Sequence, residues 1–215
     1  MELYGDIPTL LWYVGFDAFI PFSILTNYAN AALIEWDRFL ETERRGEDEK
    51  REVAAAMDFM AAGGTPPVLP PRRAHTQGFM ELHFFFICAG QVKFWVVQLV
   101  RIDGGADLKE LWKRRQPAFG PLKDARDFLE HRGKTLRAQQ PNLGARFGTA
   151  FTFTLVDNKG QVRDVEVDLR TALAPITETY EEIVATILRR PRRRSSARSG
   201  RVQAARGREM MGTDG

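Results

Sequence analysis

The chain has little of what many enzymes are built from: one cysteine and three histidines in 215 residues. A single thiol, Cys88, cannot form an intrachain disulfide, and no Cys/His cluster has zinc-site spacing, so disulfide scaffolds and structural metal sites are excluded as organising devices. No metal and no cofactor is expected. The glycine-bearing stretches "GGAD" and "GTAF" lack the lysine and the helix context of a phosphate-binding loop. The N-terminal stretch is apolar but has no basic leader, and Asp6, Pro8, Asp17 and Pro21 interrupt it. The longer apolar run from Phe79 to Val100 carries Glu81, His83, Gln91, Lys93 and Gln98, each costly in lipid. Both runs are therefore read as buried protein, with a cytoplasmic chain and no membrane partner.

Charge is present, and it is segregated. The formal net charge is +3, yet from Arg189 onward nine arginines face only Glu209 and Asp214, which leaves residues 1–188 at −4. Within that acidic body, Leu108 to Arg146 carries ten Lys/Arg against four Asp/Glu. A polyanion would be steered to this segment and to the tail. Lys113, Arg114, Arg115, Lys123, Arg132 and Lys134, with Arg192, Arg193 and Arg194 of the tail, are the expected nucleic-acid contacts.

Hydrophobic periodicity predicts a mainly helical α+β domain over residues 1–188 and a disordered Arg-rich tail over 189–215. Leu25, Tyr28, Ala32, Trp36 and Leu40 recur at helical spacing, so Phe22 to Arg45 reads as a helix in which Glu41 can pair with Arg45. A second, more exposed helix follows from Gly46, and "GGTPPVLPPRR" ends it. Glu81 to Val100 is apolar nearly all round, as a central bundle helix is. His83 is expected to be a satisfied core histidine, and Phe84 to Phe86 and Trp95 core residues; Gln91 and Gln98, seven apart, suit a polar seam against a partner helix. Asp107 is an N-cap candidate. Pro117 and Pro121 bracket a kink, and Leu122 to Arg132 forms a helix ending at Gly133. The period then changes to two: Phe151, Phe153 and Leu155 alternate with threonines, and Val165, Val167 and Leu169 with acids. With a turn at Asp157 to Gly160 this makes a β-hairpin near 149–169. A last helix spans about Thr171 to Leu188, with Pro175 near its start.

One stretch carries chemistry: "DARDFLEHRGK", Asp124 to Lys134. Its opposite charges at i,i+4 (Lys123 with Asp127, Arg126 with Glu130, Glu130 with Lys134) are what any solvated helix face shows. Arg126 and His131, however, lie in the basic segment of an acidic body, beside a helix terminus. Asp127 sits one turn before His131, placed to fix its tautomer. An arginine and a histidine together offer a phosphodiester a charge clamp and a proton-transfer group without metal. Five residues rotate about 140° on an ideal helix, so the pair meets only by reaching into a cleft, or when a two-fold dimer gathers two such helices.

On "RDFLEH", Arg126 to His131, the chain resembles the HEPN superfamily, helical domains named from higher eukaryotes and prokaryotes nucleotide binding. Many of its members are metal-independent RNA endonucleases. The resemblance covers roughly Phe22 to Gly133; the hairpin departs from the minimal helical bundle. It implies a toxin-like or RNA-processing ribonuclease with Arg126 holding the phosphate, His131 transferring protons and Asp127 orienting them. It also implies a homodimer acting on RNA, with an antitoxin or other acidic protein as a further partner. Some members of the superfamily lack activity, so a non-catalytic nucleic-acid- or protein-binding scaffold is the alternative.

Overall fold

The computed structural model describes Tyr13 and residues 16–65, 74–135, 150–156 and 162–190; the side chains of 16, 74–76, 131–135, 153–156, 162 and 163 are outside the description. The described chain is mainly helical with one antiparallel hairpin. In order come α1 (Phe16–Ala61), α2 (Ala74–Asp103), α3 (Ala106–Arg115), a 3₁₀ turn (Gln116–Phe119), α4 (Gly120–Thr135), β1 (Ala150–Val156), β2 (Val162–Asp168) and α5 (Ala174–Leu188).

α1 is one helix of 46 residues where the periodicity predicts two. Gly46 costs an exposed helix about 1 kcal/mol relative to alanine. The exposed turns around it are laced by i,i+3 ion pairs, Arg44–Glu41 at 2.7 Å, Lys50–Glu47 at 2.6 Å and Arg51–Asp48 at 3.3 Å, the spacing at which helix side chains support one another. Glu41 thus pairs with Arg44, while Arg45 hydrogen-bonds Thr42.

α1 and α2 pack along one another. Phe22, Leu25, Ala29 and Ala32 of α1 meet a face of α2 made by Leu82, Phe85, Phe86, Ala89, Val92, Val96 and Leu99, all essentially fully buried. Trp36 packs against Phe85 with ring centroids 4.8 Å apart and the planes tilted by 51°. Burying each of these phenylalanines contributes about 2–3 kcal/mol. The stretch Gln77–Asp103 is long and apolar enough to cross a membrane, with mean hydropathy 1.4; 44% of its most apolar window is buried within the protein. Its other side carries apolar residues in the open: Met80, Phe84, Phe94 and Ile102 are each about half exposed. Phe84 is thus on the surface, contrary to expectation, because the run of three phenylalanines is longer than the buried arc of the helix.

The hairpin rests on the helices as a two-stranded sheet must. Phe151 opposes Val167 across the strands and fits between Phe86 of α2 and Phe128 of α4, with ring centroids at 5.7 and 6.3 Å. Asp164 and Glu166 face solvent while Val165 and Val167 are buried. The turn at Asp157 to Gly160 lies outside the described residues. α5 then closes the domain on α1: Tyr180 lies against Phe22, and its hydroxyl shares a 2.9 Å hydrogen bond with the buried Thr26, which donates to the Phe22 carbonyl.

Two residues beyond the end of α5 the chain is still tied to the helices. Arg190 donates to Asp103 at the end of α2 (2.7 Å) and through Nε to Asp107 of α3 (2.8 Å). Asp107 is therefore not the N-cap of α3. That position is Gly105, and Asp107, two residues in, spends its carboxylate on Arg190 and the Leu108 N–H. The hydrogen bonds from Arg190 hold Asp107 below its ordinary value, and donating them to Asp107 and Asp103 raises Arg190 in turn.

A cationic cleft between α2 and α4 as the candidate functional site

Pro117 opens the 3₁₀ turn that separates α3 from α4, and α4 then runs to Thr135, two residues beyond Gly133. Leu122, Ala125, Phe128 and Leu129 put one face of α4 into the core. The opposite face carries the motif charges. α4 has thus used its apolar side chains within the protomer, and a contact with a second copy through its outer face would be made by charged groups.

Arg126 and Asp127 are adjacent in space as in sequence. Arg126 Nε and Nη2 donate to the Asp127 carboxylate, the former at 3.1 Å, Lys123 adds a 2.7 Å contact from the preceding turn, and Glu130 lies 3.6 Å from Arg126. Burial pushes the Asp127 carboxyl up, but the hydrogen bonds from Lys123 and Arg126 outweigh it and hold the group below its ordinary value of 3.8. Asp127 is therefore an anion that steadies two cations. The backbone of His131 is helical; its side chain, with those of Arg132 and Lys134, lies outside the described residues, as do Arg192, Arg193 and Arg194.

A glycine sets the position of Arg126. A Cβ on Gly90 of α2 would come within 2.6 Å of Arg126 Nη1 and 3.0 Å of its Cδ, so the bare backbone lets the arginine lie flat against α2. Beside it opens a cleft of about 320 Å³ lined by Gly90, Lys93, Phe94, Val97, Gln98 and Arg101 of α2 with Lys123 and Arg126 of α4. Gly90, Phe94, Val97 and Arg101 follow one another at i, i+4, i+7 and i+11, a single helix face. Lys93 and Arg101 are the only Lys/Arg of α2. Among the described residues no ion pair holds either of them.

Two of the other predicted contacts, Arg114 and Arg115, are spent elsewhere. Arg114 pairs with Glu182 of α5 at 2.7 Å, and Arg115 reaches both Glu178 (2.5 Å) and Glu182. Lys113 is exposed on α3. The hydrogen bonds from Arg115, then from Arg114, hold Glu182 low against the upward push of burial. Of the expected nucleic-acid residues with described side chains, only Lys123 lines the cleft. The sequence hides its other members, because Lys93 sits in an apolar run and Gln98 reads as part of a seam. The usable signal is Gly90, an isolated glycine inside a helical pattern, which marks a close approach when it does not mark an end.

His83 is not the satisfied core histidine expected, since its Nε2 is buried with no hydrogen-bond partner among the described residues, as is Oε2 of Glu81. Cys88 is half-buried, and burial, then the charge of Glu35, pushes its thiol up to about 11, which keeps it protonated at neutral pH. Among the described residues no group of three His, Cys, Asp or Glu is arranged to hold a metal ion. No family model, no curated protein and no solved structure matches the chain.

Proposed function

We propose that the chain is a HEPN-like, metal-independent RNA endonuclease that cuts by attack of the ribose 2′-hydroxyl on the adjacent phosphorus. The observation that carries this reading is the setting of Arg126: seated on Gly90, steadied by Asp127, and opening on a cleft whose remaining cations point to an anionic substrate. His131 exchanges the protons. As a base it takes the 2′-hydroxyl proton while the new O–P bond forms, and as an acid it protonates the 5′-oxygen as the old bond breaks. Arg126 neutralises the charge that grows on the phosphoryl oxygens. A second copy of the chain would supply a second Arg126–His131 pair.

Purified protein incubated with RNA in EDTA should release 2′,3′-cyclic phosphate and 5′-hydroxyl ends and should spare DNA, which lacks the internal nucleophile. His131→Ala and Arg126→Ala should each slow cleavage about a hundredfold or more. Intact RNA with the wild type, or equal rates with both variants, overturns this reading.

A second reading, a non-catalytic nucleic-acid- or protein-binding scaffold, is favoured by one observation: Arg126 is already matched by Asp127 and Glu130. It predicts RNA binding in EDTA without product, insensitive to His131→Ala.

A further inference from the structure

The cleft beside Arg126 has more in it than a phosphate clamp needs. Building on the ribonuclease reading above, we propose that it binds one nucleotide of single-stranded RNA, the base stacked on Phe94 with its edge at Gln98 and the backbone phosphates held by Lys93 and Arg101.

Three observations converge on a ligand that is part aromatic and part anionic. Phe94 is 50% exposed on a helix whose buried face is already filled by Phe85, Phe86, Val92 and Val96. Its ring meets Trp95 edge to face, at 5.2 Å and 88°, which leaves at least one face of Phe94 clear of the indole. An exposed ring face flanked by cations is a stacking platform for a base. One turn further on, Gln98 brings an amide, with both donor and acceptor, to the same cleft. The charge is also unbalanced. Lys123 and Arg126 are answered by Asp127 and Glu130, whereas Lys93 and Arg101 have no acid among the described residues.

The cleft, at about 320 Å³, is at the lower end of small-ligand sites. A duplex keeps its bases stacked on each other and has none to offer Phe94, so a single strand is the class that fits. Arg126 belongs both to this cleft and to the motif, and His131 lies about 7.5 Å further along the helix. The bound nucleotide is thereby set beside the scissile phosphate, where it would select the cleavage context. A second copy of the chain is the other occupant of an exposed phenylalanine. A two-fold contact centred on Phe94 would bring two sets of Lys93 and Arg101 together, which like charge opposes.

The test uses the full chain in the His131→Ala background, so that the strand stays whole, with EDTA present. Anisotropy compares a labelled single-stranded RNA with an abasic ribose–phosphate strand of equal length. Phe94→Ser should lower affinity for the base-bearing strand about tenfold and leave the abasic strand unchanged, while Phe94→Trp keeps the affinity. Lys93→Ala and Arg101→Ala should weaken both strands and each reduce the slope of log affinity against log salt by about 0.7. Equal affinity of Phe94→Ser for RNA, or a dimer that Phe94→Ser dissociates while RNA binding persists, overturns the nucleotide site and gives Phe94 to contact with a second copy. Failure of the parent protein to bind RNA at all removes the ribonuclease reading itself. RNA binding that survives all three changes removes only the cleft.

Discussion

The corner where α3 meets α5 and the cleft where α2 meets α4 are both rich in cations and use them in opposite ways. At the corner, Arg114, Arg115 and Arg190 each face an acid on another element: Glu182, Glu178 with Glu182, and Asp103 with Asp107. They fasten the last helix to the middle of the chain. In the cleft, half-buried Lys93 and exposed Arg101 face no acid among the described residues. A run of basic residues in a sequence therefore says little about where free positive charge lies. "KRR" at Lys113 to Arg115 is conspicuous and largely neutralised, while two isolated cations in an apolar helix are available.

The comparison is broken most directly at Arg190. Its Asp103 partner has a side chain with no exposed surface, so Arg190→Ala takes the guanidinium away from a buried carboxylate. A loss of about 3 kcal/mol in urea unfolding is expected. Truncation after Leu188 should match it. On the nucleic-acid-binding reading proposed above, truncation after Arg190 should flatten the salt dependence of RNA binding. A smaller contrast separates Arg115 from Lys93. Arg115→Ala should cost about 1 kcal/mol, the upper end for partly exposed pairs, and Lys93→Ala no more than a few tenths. Equal costs would show that Lys93 is held within the fold as firmly as Arg115.

Acid should act on the corner as well. Asp107 and Glu182 are held below their ordinary values of 3.8 and 4.5, so their contribution is complete above those values and is lost as pH falls through the lower folded-state values. Thermal melts should fall below about pH 4.5 in the wild type, and less steeply in Arg115→Ala, whose Glu182 has lost its first cause of depression. The smallest expected change in stability, and the most specific, is at Gly90. Gly90→Ala adds helix propensity worth up to about 1 kcal/mol yet drives a methyl into the Arg126 guanidinium. The melting temperature should hold or rise while, on the ribonuclease reading proposed above, RNA cleavage falls. Unchanged cleavage would detach the position of Arg126 from activity.

Elements with a strong period were legible in the sequence. The alternation of Val165 and Val167 with Asp164 and Glu166 marked the hairpin, because burial of one face imposes that period; the apolarity of Glu81 to Val100 marked a helix but hid its open side, where Phe84 and Phe94 are exposed. The continuity of α1 through Gly46 was not, since ion pairs at i,i+3 decide it and a glycine conceals them. Neither was the use of Asp107, whose partner lies 83 residues away. The same limit applies to the site. Arg126 and Asp127 stand together because they are neighbours on one helix, but Lys93, Phe94 and Arg101 join them only through the packing of α2 on α4.

The hydrogen bond between Thr26 and Tyr180 spans 154 residues of chain. On a ribosome the paired long helices emerge early and can zip together through nearby contacts, yet the end of the core around Phe22 stays wet until the last helix has been made. Of the described elements the first is therefore completed by the last, and the apolar end of the core stays open to solvent until both have been made.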